Sequence, residues 1–424
     1  MIKLPKEVNK IMKTIEDAKA EAFITGECVF DTLTGGAPYG WDIITSASAE
    51  QLRELFPEAE VLSEKLGILR MEFLEVKVDD DGTEYEDGFI IDVAPYRGAS
   101  VEEEVARKDF TINAIADSPS RVVDPYGGRD DIRKKLIRTV GNAEETFKAN
   151  PLKMMRAVRY AAQLGFDLHT DVYKAICENY HLLEQAQMTK VRDEFTEIMG
   201  AKYAGKGLNM ILDTNLIKVI LGEDVVNSLS KREKEEFTVL CENVDKTYQI
   251  PERRLGLFYT IIGKKKALAS VEKLGFEGDT RVHLEDAIKE IAKFYFLNQK
   301  QEVKRYIYKH GWERYNYMAN LEKAQRIVFD YYNETKIQSR MFMVEEIRTY
   351  GEPIFPDEMN IDGNDLLAEG ICKTPEEAEK MLCMLVEELH MHPGKNTRKK
   401  LFAQARLYKR FKFLTYTRGQ HWAR

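Results

Sequence analysis

Hydrophobic and polar positions change their period near residue 145. Before it, the apolar runs Phe23-Ile24-Thr25, Ile43-Ile44-Thr45, Gly67–Phe73, Phe89–Ala94 and Val122-Val123 are short and bounded by Gly, Asp and Pro, which predicts strands. Ala49–Leu55 and Val101–Ala106 have a helical pattern between them, and Asp79-Asp80-Asp81-Gly82 and Tyr126-Gly127-Gly128 read as turns. Beyond it, apolar residues fall three and four apart, as in Leu152, Met155, Val158 and Ala162, and alternation disappears. The spacing predicts a first long helix over Asn142–Gly165, then helices near Asp171–Gln185, Met188–Met199, Gly207–Leu212, Lys231–Tyr248, Arg253–Lys266, Glu285–Phe296, Lys300–His310, Tyr315–Thr335, Met341–Tyr350, Pro375–Met391 and Thr397–Arg410.

The pattern therefore predicts an α+β head over 1–140, a neck and the start of a helical body over 141–223, more helical body over 224–350 and a helical tail over 351–424. The tail is set off by the breaks at Gly351–Pro356 and His392-Pro393-Gly394. A chain of 424 residues has room for this, since domains run roughly 100–200 residues. Five cysteines without a CxxC pair suggest reduced, buried thiols and neither a disulfide framework nor a zinc site. No apolar run reaches membrane-spanning length and the N-terminus lacks the apolar core of a signal peptide, so a cytoplasmic protein with no membrane partner is expected. A net charge of −8 excludes a uniformly basic nucleic-acid binder, but Lys395–Arg424 holds ten Lys or Arg and no acidic residue.

Chemistry enters with Phe23–Ser46, FITGECVFDTLTGGAPYGWDIITS, which reads as strand, glycine turn, short helix, glycine-rich loop and a second strand carrying Asp42. Nucleotidyl transfer uses two metal ions a few Å apart, and carboxylates two positions apart on a strand point to one side, where they can share those ions. Backbone NH groups of the preceding turn can cradle a triphosphate. This segment resembles the signature of the bacterial CCA-adding tRNA nucleotidyltransferases and their poly(A) polymerase relatives, in which a Gly-Gly turn, an Arg-Asp pair and an Asp-x-Asp strand ending in Thr-Ser follow at this spacing. Gly26, Asp31, Asp42 and Thr45-Ser46 match it. Glu27 replaces the second glycine, Phe30 the arginine and Gly40 the first carboxylate. Asp92, in IIDVAPYR, resembles the third carboxylate of the family, leaving Asp42 and Asp92 as the candidate catalytic and metal-binding pair.

A second segment, EEEVARKDFTINAIA (Glu102–Ala116), resembles the family's Arg-Arg-Asp-Phe-Thr-Ile-Asn-Ala, with Lys108 for the second arginine. The resemblance assigns Arg107, Asp109 and Asn113 to the nucleotide's sugar and phosphates. A third match, VDPYGG (Val123–Gly128) and RTVG (Arg138–Gly141), continues into NPLKMMRAVRYAAQLGF (Asn150–Phe166). The family begins its counterpart with Glu-Asp and places an arginine three residues after the Asp, a protein template that selects C and A. Ala149, Asn150 and Lys153 stand there instead. An amide offers both donor and acceptor and lysine lacks the planar fork, so base choice is expected to be blurred. Arg156 is carried over as a nucleotide contact and Arg159 as an RNA contact, the alternative being a solvated basic helix face.

The family's long loop before the Arg-Arg-Asp segment shrinks here to Gly98-Ala99-Ser100. None of the seven histidines precedes an aspartate, so the phosphohydrolase domain of many relatives is not expected. Gly205–Glu223 resembles the neck and body, PIFPDEMNIDGNDLL (Pro353–Leu367) the start of the tail, and His392–Thr397 its later part. At the C-terminus, Arg398, Lys399, Lys400, Arg406, Lys409, Arg410, Lys412 and Arg418 interleave with Phe402, Tyr408, Phe411, Phe413, Tyr416 and Trp422, a composition suited to phosphates and stacked bases or to an ordinary packed helix.

Together these features imply a polymerase-β-like nucleotidyltransferase head, a small mixed sheet with helices, followed by an all-helical neck, body and tail. The implied partner is tRNA or another structured RNA, with room for a protein partner. The implied cofactors are Mg2+ at a weak or incomplete site, with ATP or CTP as substrate if the protein is active. Losses in the metal, triphosphate and base elements point to tRNA 3′-end binding with impaired or altered transfer. An active CCA-adding or poly(A)-adding enzyme and a catalytically dead tRNA- or partner-binding pseudoenzyme remain the alternatives.

Overall fold

The computed structural model describes residues 2–78 and 84–411, so Lys412, Phe413, Tyr416, Arg418 and Trp422 of the C-terminal basic stretch lie outside the described residues. The chain forms two compact units, Met1–Ser228 and Leu229–Arg424. The first is 7-stranded mixed sheet and helices, the second helices.

Strands β1 (Ala22–Thr25), β2 (Gly40–Thr45), β3 (Glu60–Ser63), β4 (Ile68–Val78), β5 (Glu84–Pro95), β6 (Ala116–Asp117) and β7 (Val122–Val123) lie in the order β3-β4-β5-β2-β1-β6-β7. Only β2 and β5 pair in parallel, the other neighbours antiparallel. A short parallel pair, β8 (Leu136–Ile137) and β9 (Asp167–Leu168), stands apart. Each expected strand forms; β3, β6, β8 and β9 are too short or too polar to announce themselves by alternation.

The helices of this unit begin with α1 (Lys6–Asp17), α2 (Glu27–Thr34), α3 (Ala49–Leu55), α4 (Val101–Val105), α5 (Gly128–Lys134), α6 (Ala143–Ala149) and α7 (Leu152–Leu164). Helix α1 buries Val8, Ile11, Met12 and Ile15, a 3–4 spacing that seats one face on β1, β2 and α3. Phe23, Ile44, Val101, Val105, Ala114, Ala116 and Val123 form a core cluster, with Tyr96, Tyr126 and Val140 at its margin.

The expected helix Asn142–Gly165 is two helices. Pro151 restricts the residue before it, and Asn150 is accordingly extended at φ −151°, ψ 98°. Its side chain then starts the next helix by accepting from the Leu152 amide at 3.1 Å. In the second unit the break expected between Lys300–His310 and Tyr315–Thr335 is present: the helical run Lys300–Phe329 is kinked into two at Gly311, whose φ 80° and ψ 165° are not helical. The tail helices Gly363–Ala368, Pro375–Met391 and Arg398–Arg410 close around Leu366, Leu385, Val386, Leu389, Leu401 and Ala405. No described helix is long and apolar enough to cross a membrane.

Phe30, at the position of the family's arginine, is buried on α2 and meets Phe166 edge-on at 5.8 Å. Phe30→Arg is therefore expected to bury an unpaired cation and lose packing, lowering stability by about 3–5 kcal/mol in urea unfolding. His390 sets a pH limit in the tail. Its Nε2 donates to the Ile354 carbonyl at 2.9 Å while its buried Nδ1 lacks a partner among the described residues, and burial holds the imidazole below its ordinary value. The folded chain thus favours the neutral ring. Stability is full above the unfolded pKa of about 6.5 and falls as the pH drops below it, because the unfolded chain takes up the proton first. Urea midpoints between about pH 7 and about pH 5.5 should fall more in the wild type than in His390→Gln.

Candidate functional site

The parallel pairing of β2 with β5 places Asp42 directly opposite Asp92, and β4 places Arg70 directly opposite Asp92 on its other side. One row of the sheet thus reads Arg70, Asp92, Asp42, Thr25. Arg70 grips Asp92 at two points, Nε to Oδ1 and Nη2 to Oδ2, both at 2.8 Å. Such a fork is the stronger form of ion pair.

Gly26, at the start of α2, adopts φ 83°, and a Cβ there would lie 2.9 Å from Asp42 Oδ2 and 3.9 Å from Lys108 Nζ. Glycine is required both by the conformation and by this approach. Crowding by protein atoms raises the Asp42 carboxyl above the ordinary carboxylate value, Lys108 opposes the rise, and Asp92 and Glu27 add to it. The side chain still reaches water, which limits the shift. Asp31, half-buried on α2, is raised first by burial and then by the charge of Glu27. Beneath the turn, Cys28 donates to the Thr25 carbonyl at 3.2 Å, and burial pushes its thiol up to about 12, an inert group.

Glu27 lies exposed at the first position of α2 and accepts from the Tyr160 hydroxyl of α7 at 3.0 Å. A negative charge is thereby fixed beside the helix start that a triphosphate would approach. Asp109 is the second clamp on α7: Lys153 Nζ meets its Oδ1 at 2.8 Å and Arg156 contacts its Oδ2. The loop carrying Asp109 is braced from below. Arg138 donates to Asp131 at 2.9 Å and to the Tyr126 carbonyl at 2.7 Å, and Gly128 packs so tightly that a Cβ would lie 2.0 Å from the Thr111 carbonyl.

The sequence candidates thus divide. Gly26, Asp31, Asp42, Asp92, Lys108 and Glu27 share one neighbourhood. Asn150 spends its side-chain oxygen on the cap of α7, and Lys153 and Arg156 are held by Asp109. Asn113 is buried, and its Oδ1 has no hydrogen-bond partner among the described residues; Arg107 is exposed. Arg159 is turned to Glu194 at 2.7 Å and lies over the Tyr160 ring. In the tail, Arg398 forks onto Asp365 at 2.8 and 2.5 Å and Arg406 meets Glu369 at 2.6 Å. Lys400 donates to the Gly394 carbonyl and Lys409 to that of Gly370, while Lys399 and Arg410 are exposed. Arg70 is the residue that sequence reasoning missed; a lone cation inside the apolar run Gly67–Phe73 was its one signal.

The donor set does not fit a two-metal centre. Gly40 supplies no ligand, both oxygens of Asp92 are engaged by Arg70, and no group of three or more His, Cys, Asp or Glu among the described residues is arranged to hold a metal ion.

Residues 22–138 match the Poly A polymerase head domain family, and residues 165–225 match the family described as the probable RNA and SrmB-binding site of polymerase A. The CCA-adding enzyme of Ligilactobacillus salivarius is 34% identical over 229 residues, which cover 51% of this chain and 55% of that one. The chain spans about half the length of the first curated relatives it matches. The fold is that of the Bacillus stearothermophilus CCA-adding enzyme in complex with CTP, with a TM-score of 0.73 at 21% identity over 97% of this chain and 98% of that one. It is also that of the Thermotoga maritima CCA-adding enzyme complexed with tRNA, with a TM-score of 0.64 at 16% identity and 95% coverage of each. With its motif segments set on this head, the chain carries a Poly A polymerase head domain over residues 22–138 and is similar to the CCA-adding enzymes in sequence and in fold.

Proposed function

We propose that the protein binds the 3′ end of tRNA and that its nucleotidyl transfer is impaired or altered. The observation that carries this reading is the row along the sheet, where Asp42 is the one carboxylate free of a fork and Asp92 is taken by Arg70. Mg2+ held by Asp42 alone is bound weakly, because such ions need several oxygen ligands. Base choice is weakened as well, since Asn150 and Lys153 are occupied within the protein.

Support for the RNA end comes from the relatives, named CCA-adding enzymes, one of them solved with tRNA. In this reading the chain divides into head (1–140), neck (141–223), body (224–350) and tail (351–424), with RNA meeting the tail. The ion pairs of Arg398 and Arg406 are exposed, and pairs of that kind contribute only about 0–1 kcal/mol, so phosphates can replace the carboxylates at small cost. Lys399, Lys400, Lys409 and Arg410 add charge on the same helix. Arg159, tied to Glu194, is the weakest of the RNA candidates.

One observation favours an active CCA-adding or poly(A)-adding enzyme: the buried, unpartnered Asn113 carbonyl suits a nucleotide. A single assay separates the readings. With tRNA lacking its terminal nucleotides, each of CTP, ATP, GTP and UTP, and Mg2+ or Mn2+, extension should be at least about a hundredfold slower than by a relative with the full carboxylate pair, and less selective. The tRNA should be retained with steep salt dependence. Extension at the relative's rate, abolished by Asp42→Ala, overturns the reading; failure to retain tRNA removes its RNA component.

A further inference from the structure

We propose that Arg70, on the far side of Asp92 from Asp42, is a built-in counter-cation that engages Asp92 in place of a divalent ion, and so keeps the head from loading metal. The inference rests on the functional reading of this same site and names the residue that sets its metal requirement.

Three strands bring the row together. Arg70 on β4 faces Asp92 on β5, which faces Asp42 on β2, and residues opposite one another across a ladder project to the same face of a sheet. The guanidinium uses two donors on Asp92, filling both carboxylate oxygens. Its charge also reaches Asp42, where it lowers the cost of ionisation, and Lys108 does the same from the other side. Asp92 and Asp42 thus face two protein cations, Arg70 and Lys108. The charges of these two aspartates are matched before any ion arrives, although Glu27 adds a further negative group nearby. Oxygen-seeking divalent ions are drawn to uncompensated carboxylates, and here entry requires the Arg70 fork to open first.

The fork is neither sealed in the core nor fully in water, the side chains of Arg70 and Asp92 being 27% and 22% exposed. An ion can therefore compete with it, and the competition is measurable. Arg70 also lies on the same strand as Leu69, which is buried, so the arginine is held in register by packing rather than by its charge partner alone. Gly40 is the other half of the deficit: a Cβ there meets only Ile90 Cγ1, at 3.7 Å, and its backbone is not in the left-handed region, so a carboxylate can be added without strain.

The test is Mn2+ binding to the full chain, followed by electron paramagnetic resonance, with folding checked by circular dichroism. The wild type is expected to bind Mn2+ weakly. Arg70→Gln should bind at least about tenfold more tightly, and Arg70→Gln with Gly40→Asp more tightly still; Asp42→Asn placed on either should abolish the gain. Arg70→Lys keeps the charge but not the fork and should fall between wild type and Arg70→Gln, which keeps the comparison open if the glutamine variant folds poorly. Equal Mn2+ affinity in wild type, Arg70→Lys and Arg70→Gln overturns the proposal, as does tight binding in the wild type that Asp42→Asn removes. Because the readout is bound metal, these outcomes are distinct from the tRNA extension and retention that decide the functional reading.

Discussion

The head depends on one pairing, the parallel ladder between β2 and β5. It sets Asp42 beside Asp92 on strands that lie about 4.8 Å apart, and two like charges at that range repel by about 3 kcal/mol at an effective dielectric near 20. The fold must neutralise that repulsion with cations. A nucleotidyltransferase is expected to use metal ions for the purpose. In this chain the cations are covalently part of the protein, Arg70 on the adjoining strand and Lys108 from the segment that resembles the family's sugar-binding motif.

The same logic extends from the sheet to α7. Asp109 is met by Lys153 and Arg156, three groups placed at the nucleotide by the resemblance, and Glu27, at a glycine position of the family, is met by the hydroxyl of Tyr160, so each is satisfied within the chain. Each contact also fastens α7 to the β-rich part of the unit. The exceptions are informative. Asn113 keeps a buried carbonyl without a partner among the described residues and Arg107 an exposed guanidinium, both from the segment in which the resemblance to the family is closest. Burying a polar atom unpaired costs about 1–3 kcal/mol, a cost that a ligand can remove.

Much of the fold was legible because its signals are local. The strand carrying Asp42 shows alternation and a glycine turn before it, and the helical remainder shows its 3–4 spacing. What the sequence leaves unread is pairing across distance. Arg70 and Asp92 are 22 positions apart, and Asp109 and Arg156 are 47 apart; no periodicity links them. The break at Asn150-Pro151 was visible as a proline, but the apolar spacing of Leu152, Met155 and Val158 extends plausibly back across it, and periodicity concealed the stop. Phe30 was readable as a lost arginine; its place in the core against Phe166 needed the fold.

Two glycines of the motif carry opposite meanings. Gly26 is dictated by shape: its φ of 83° is one that L side chains rarely adopt, and a Cβ there would displace the end of the Asp42 side chain 2.9 Å away, so any nucleotidyltransferase-like turn of this geometry has a reason to keep it. Gly40 is dictated by nothing in the backbone, for a Cβ there has ordinary contact distance and no left-handed conformation to sustain. The fold would accept a carboxylate at position 40. Conformation does not bar it, and its absence agrees in sign with Arg70: a glycine leaves the row without one negative group and the arginine supplies a positive one. Both lower the attraction of the same few ångströms of sheet for a divalent ion, while the turn that shapes the site is left intact.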